Sequence, residues 1–218
     1  MRAAFAALLL VLCPATWATP FAVRLGNERI ALDTPPGFAD TLDLASPRLQ
    51  ELAEALTSAS NRILLFALTD ADLRRFTLGD TPDLRRYLLV ATPRAMERDR
   101  LGAGQFRAFA AESLRGIGNP AEPADIRKHL DALPQGQASL LQELRRRPDV
   151  ISVFQGTRIP IKPNVKPQYL LTTTTLLLVR GKAFIVSAFA SYNDETDPEW
   201  LRAVTLRWVD ELLRLNSH

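Results

Sequence analysis

The stretch Asp72-Leu73-Arg74-Arg75 returns eleven residues later as Asp83-Leu84-Arg85-Arg86. Guanidinium groups present a planar fork of donors that matches carboxylate and phosphate oxygens, so Arg74, Arg75, Arg85 and Arg86 form a candidate anion-binding set. Arginine and leucine are frequent throughout, and Glu143-Leu144-Arg145-Arg146 repeats much of the pattern. Arg145-Arg146-Arg147 near a helix end also suits the helix dipole with no ligand. A second basic stretch runs from Arg158 through Ile159-Pro160-Ile161-Lys162-Pro163-Asn164-Val165-Lys166 to Pro167. Proline removes backbone donors and holds the chain extended, which makes this segment a stiff connection and a protected edge. It also offers Arg158, Lys162 and Lys166 as contacts for an acidic protein partner or an envelope surface, because three of the four lysines lie between Lys162 and Lys182.

Other chemistries find little support. The chain has two histidines, and His218 is its last residue. His129 lies one turn after Asp125, so an acid–base pair is conceivable, beside the plainer reading of a half-buried helical histidine. A serine nucleophile would need a base, and neither Gly-x-Ser-x-Gly nor Ser-x-x-Lys occurs. Gly102-Ala103-Gly104 opens like a dinucleotide fingerprint, but Arg107 stands where the third glycine belongs. That stretch reads as a turn into a helix. The acidic run from Asn193 to Asp197 offers hard oxygen ligands yet lacks the spacing of a calcium loop, and negative groups stabilise a helix start without any metal. The sequence thus assigns no catalytic residue, no metal and no cofactor.

At the N-terminus, Arg2 precedes an apolar run from Ala3 to Leu12, and Thr16-Trp17-Ala18 supplies small residues before a cut, the pattern of an export signal. Cleavage after Ala18 leaves residues 19–218 as one domain in the periplasm or outside the cell. A lipoprotein anchored through Cys13 is the rival reading, opposed by bulky Val11 and Leu12 before the cysteine and Pro14 after it. With the signal removed the chain has no cysteine, which excludes disulfides, thiolate nucleophiles and cysteine-bound metals. No later apolar run reaches the roughly 20 residues that a transmembrane helix needs. The 218 residues carry 27 basic and 24 acidic side chains, of which cleavage removes only Arg2, so net charge makes no case for nucleic acid.

The elements that must position these residues are legible in outline. Phe21 to Leu25 and Glu28 to Leu32 flank Gly26-Asn27, a hairpin turn. Ser46 and Pro47 open a helix whose Leu49, Leu52, Ala53 and Leu56 recur at helical spacing. Arg62 to Leu68 and Arg86 to Ala91 read as strands, with a short helix at Ala71 to Phe76 between them. Three short helices are predicted between Gly104 and Arg147, broken at Gly116–Pro120 and Pro134, with Pro148 ending the last. Strands then follow at Val150 to Thr157, Tyr169 to Val179 and Lys182 to Ser191. The two-residue connection Arg180-Gly181 forces the last two to be antiparallel, and their continuous apolar runs require cover on both faces. The final helix, capped by Asp197 with Pro198 behind it, gathers Trp200, Leu201, Val204, Trp208, Leu212 and Leu215 on one side. Its other side is charged, with Arg207–Glu211 and Asp210–Arg214 four residues apart. The fold class is α+β: a central antiparallel sheet with helices on both faces, a helical insertion and a long C-terminal amphipathic helix.

The order of these elements resembles the PsbP-like superfamily of exported α+β domains, of the PsbP and DcrB type. The likeness rests on Ile30-Ala31-Leu32-Asp33-Thr34-Pro35-Pro36-Gly37-Phe38 after the opening hairpin, and on the late hairpin ending at Ser191-Tyr192 before the Trp200 helix. It covers about a third of the chain, and the insertion from Gly104 to Arg147 is long for such a domain. The resemblance implies an antiparallel sheet between helices and an accessory or binding role, and fold likeness alone transfers no reaction. The functional expectation is an exported, non-enzymatic binding or accessory protein of the cell envelope. The alternative is a small-anion binder or enzyme using an arginine-rich cleft.

Overall fold

A computed structural model describes residues 20–160, 162 and 165–217. Residues 1–19, Cys13 among them, and His218 lie outside the described residues, as do Ile161, Pro163 and Asn164. The chain opens with the predicted hairpin, β1 (Phe21–Leu25) and β2 (Glu28–Leu32), closed by Gly26 in the left-handed region. A short β3 (Phe38–Asp40), one tight helical turn and α1 (Pro47–Ala55) follow. Next come β4 (Asn61–Thr69), α2 (Asp70–Thr77), β5 (Arg86–Pro93), α3 (Ala103–Ser113) and α4 (Ile126–Asp131). The last part is continuous sheet and helix: β6 (Ala138–Arg147), β7 (Val150–Arg158), β8 (Tyr169–Val179), β9 (Lys182–Ser191) and α5 (Thr196–Leu215).

Seven strands form one antiparallel sheet in the order β3-β4-β5-β9-β8-β7-β6, and β1-β2 is a separate two-stranded sheet. The fold is α+β, as the sequence predicts. The β8–β9 hairpin turns at Arg180-Gly181, both with positive φ, which is the backbone a two-residue hairpin loop demands. It occupies the middle of the sheet, so both of its faces are covered. On one face lie α5 and α4, where Leu88, Val90, Phe154, Phe184 and Val186 meet Leu201, Trp208 and Leu212. On the other, α1 covers Phe66, Tyr87 and Leu89, while Phe106 and Ala110 of α3 cover Ile151, Leu176 and Ala183. Burial of these apolar side chains supplies the main driving force.

Two pairs of hydroxyl groups are joined inside the core. Thr173 shares a 2.6 Å hydrogen bond with Thr205 of α5, and Thr175 one of 2.8 Å with Ser152, all four buried. The terminal hairpin is tied to α5 because Asn216 both accepts from the Ala31 amide and donates to the Ala31 carbonyl.

Three local expectations are corrected. The segment predicted as the last insertion helix is β6, paired with β7 through a turn at Pro148-Asp149. Its register shifts at Leu140/Gln142 and at Glu143/Arg145 break the two-residue alternation, leaving apolar residues at 140, 141 and 144, a helical spacing. Asp197 lies inside α5, and its carboxylate accepts the amides of Asn193 and Asp194 at 2.9 and 3.1 Å instead of capping the residues after it. On α5 the pairs are Glu211 with Arg214 and Asp210 with Arg145 of β6, so the charged face is used to hold the edge strand.

Candidate functional site

The register of β8 and β9 builds the site. Tyr169 and Tyr192 are equidistant from the Arg180-Gly181 turn, so pairing brings them side by side, with the Tyr192 amide donating to the Tyr169 carbonyl at 3.0 Å. Their rings meet edge to face at 6.3 Å. Arg127, on α4, lays its guanidinium 4.3 Å from the Tyr192 ring centre and 5.7 Å from that of Tyr169. Such stacking favours a cation while leaving its N–H groups free to point elsewhere.

These residues wall a cleft of about 420 Å³, whose lining includes Arg85, Arg127, Lys166, Tyr169, Tyr192 and Asp83. Val165 to Gln168 of the β7–β8 connection close one side, and the Ile159 amide donates to the Gln168 carbonyl at 2.9 Å. One residue from each sequence-derived set thus meets in a single place: Arg85 from the anion set and Lys166 from the basic segment.

The other candidate residues are distributed differently. Arg74 is exposed on the last turn of α2, and Arg75 beside it forms an ion pair with Asp83. Arg86 donates to Asp197 at 2.7 Å and stacks 4.0 Å from the Trp200 ring centre. Arg158 donates to the carbonyls of Asp131 and Leu133 at 2.6 and 2.9 Å, binding the C-terminal end of α4. Lys162 and Lys166 are exposed, and neither forms an ion pair among the described residues.

The cationic groups of the cleft are loosely held. Arg85 approaches Asp194 at 3.4 Å and Asp197 at 3.8 Å. Arg127 reaches Glu195 only at 3.7 Å and the Asn193 carbonyl at 3.4 Å. Charge-assisted hydrogen bonds close to about 2.7–2.9 Å when saturated, so both guanidinium groups keep donor capacity. The acidic neighbours are engaged elsewhere: Glu195 accepts the Tyr192 hydroxyl at 2.6 Å, and Asp194 accepts the Thr196 hydroxyl and amide. Those bonds hold the Asp194 carboxyl below its usual range. Burial, and donation to Glu195 and Asp131 respectively, push the Tyr192 and Tyr169 hydroxyls up. The tyrosines therefore stay neutral and serve as walls and donors.

His129 does not pair with Asp125. The Asp125 carboxylate caps α4 by accepting the Lys128 amide at 2.9 Å, and the imidazole meets the Ser139 hydroxyl at 2.9 Å. Among the described residues no carboxylate contacts that imidazole to orient it as a base. Nor, among them, do three His, Cys, Asp or Glu side chains gather as a metal site. Another cavity, of about 390 Å³ beneath α1, is lined by Arg62, but Glu97 already holds that arginine.

Arg127, Tyr169 and Tyr192 are functional candidates that residue-by-residue reading missed. The symmetric placement of the tyrosines about the turn was available as a signal; the approach of α4 was not.

The fold and the cleft define an α+β protein with a basic, aromatic-walled pocket at one end of its central hairpin. No protein-family model and no curated protein matches the sequence. Among solved structures the chain is similar to a point mutant of the protein Mog1, with 14% identity and a TM-score of 0.40 over 91% of this chain and 93% of that one. A superposition at that level carries no argument about activity. No helix of the described residues is long and apolar enough to cross a membrane.

Proposed function

We propose that the chain is an exported binding or accessory protein of the cell envelope, of PsbP-like type, and that it captures a carboxylate-bearing segment of a protein partner in the Arg85–Arg127–Lys166 cleft. The observation that carries this reading is the convergence of three incompletely paired cations in one cleft walled by two tyrosines. An extended acidic segment suits it, because the long proline-spaced loop that brings Lys166 also carries exposed Lys162. Export is supported by the N-terminal pattern, and cleavage after Ala18 leaves every described element whole, since β1 starts at Phe21. A small-anion binder is the second reading, favoured by Arg85, which two carboxylates approach only at 3.4 and 3.8 Å.

The test is a titration with hexaglutamate peptide followed by backbone amide chemical shifts. The reading expects shifts concentrated at Arg127, 165–169 and 191–193, fading as salt screens the charges. Shifts scattered over the surface would contradict it. Citrate and inorganic phosphate, titrated in parallel, separate the two readings: tighter binding of either than of the peptide favours the small anion.

A further inference from the structure

A separate cavity, also of about 420 Å³, lies between the β2–β3 connection and α5. Its walls are Pro35, Pro36, Phe38, Trp200, Val204 and Trp208. The shape is fixed from both sides: Trp208 Nε1 donates to the Asp33 carbonyl at 2.7 Å, and Phe38 stacks with Trp200 at 6.2 Å. The size lies in the range of small-molecule pockets, which combine apolar walls with a few placed polar groups.

We propose that this cavity binds a small organic cation, an alkylammonium or quaternary ammonium. Three aromatic side chains, Phe38, Trp200 and Trp208, line one cavity, and electron-rich aromatic rings attract ammonium groups. Trp200 already receives one cation, the Arg86 guanidinium at 4.0 Å. The charge at the cavity complements such a ligand. Asp33 lines it, accepts the Thr34 amide at 2.7 Å and forms no ion pair among the described residues. Burial and the nearby Glu211 push the Asp33 carboxyl up, a cost that an incoming cation removes. Glu211, also in the lining, is held by Arg214, and the one cationic side chain of the lining, Arg207, is exposed.

Both tryptophans of the described residues line this cavity, and the remaining one of the three is Trp17. In a chain carrying Trp17→Phe, intrinsic fluorescence therefore reports the cavity. Titration with choline is expected to change it saturably, and neohexanol, in which carbon replaces the ammonium nitrogen, should bind about tenfold more weakly. Asp33→Asn should weaken choline, with the melting temperature measured alongside. Arg207→Glu, an exposed change that leaves the walls intact, should tighten it. Equal affinity for choline and neohexanol, no saturable change with choline, or no tightening in Arg207→Glu would each overturn the proposal.

Discussion

Arg86 donates to Asp197 across 2.7 Å, and Asp197 has no exposed surface. This pair ties the first residue of β5 to the first turn of α5. It also fixes both sites, since Arg86 stacks on Trp200 of the aromatic cavity and Arg85, beside it, lines the basic cleft.

Burial alone would raise the Asp197 carboxyl, but the Arg86 guanidinium and the amides of Asn193 and Asp194 outweigh it and hold the group below its usual range. A carboxyl lowered in the folded chain contributes stability that is present above the unfolded value, about 3.9, and is lost as pH falls through the folded one. Thermal melts should therefore fall off below about pH 4. Asp197→Asn, which leaves Arg86 without its counter-charge, should cost about 2 kcal/mol at neutral pH and flatten that acid limb. An unchanged acid limb in the variant would show that other carboxyls control it.

The three tyrosines are all shifted the same way. Burial pushes Tyr87 up to about 12, and Tyr169 and Tyr192 are raised by burial and by donation to carboxylates. A raised group contributes stability that is whole below its unfolded value, about 10, and lost as pH rises through the folded one. Tyrosinate absorbance should stay near baseline at about pH 10, where free tyrosine is half ionised, and appear together with loss of circular dichroism at higher pH. Independent ionisation of one tyrosine in the folded protein would contradict this.

Arg158 is bonded to two carbonyls at the end of α4, so it positions the helix that carries Arg127. Arg158→Ala should lower stability by about 1–2 kcal/mol, read as the midpoint of a urea melt. A variant of wild-type stability that had lost peptide binding would instead make Arg158 a direct contact.

Gly156 lets α4 sit against β7. A Cβ there would lie 2.8 and 3.0 Å from the two methyl carbons of Leu130 and 3.1 Å from Leu141 Cδ1. Gly156→Ala should cost about 1–3 kcal/mol through overpacking, and Gly156→Ala with Leu130→Ala should recover part of it. Additive losses in the double variant would show that the two positions do not share this space.

The late hairpin and the buried stripe of α5 were readable because a two-residue turn leaves the strands one register, and apolar residues recurring every three to four positions leave the helix one buried face. β6 was not, because two bulges shift its alternation and its glutamate, leucine and arginine residues favour a helix until pairing with β7 decides the matter. The same limit applies to function. Lys166 and Arg85 could each be singled out by type, but their meeting depends on residues 165–168 lining the same cleft as Ser191 and Tyr192 at the end of β9. Arg127 joins them only because α4 packs on β7, a contact with no local signature.

The most direct measurement compares hexaglutamate binding by calorimetry in the wild-type chain and in Lys162→Glu/Lys166→Glu, with melting temperatures recorded for both. Reversal should abolish binding while stability changes by less than about 0.5 kcal/mol, as for surface substitutions without partners. Retained affinity in the reversed chain would contradict the claim that this cleft is where a partner is held.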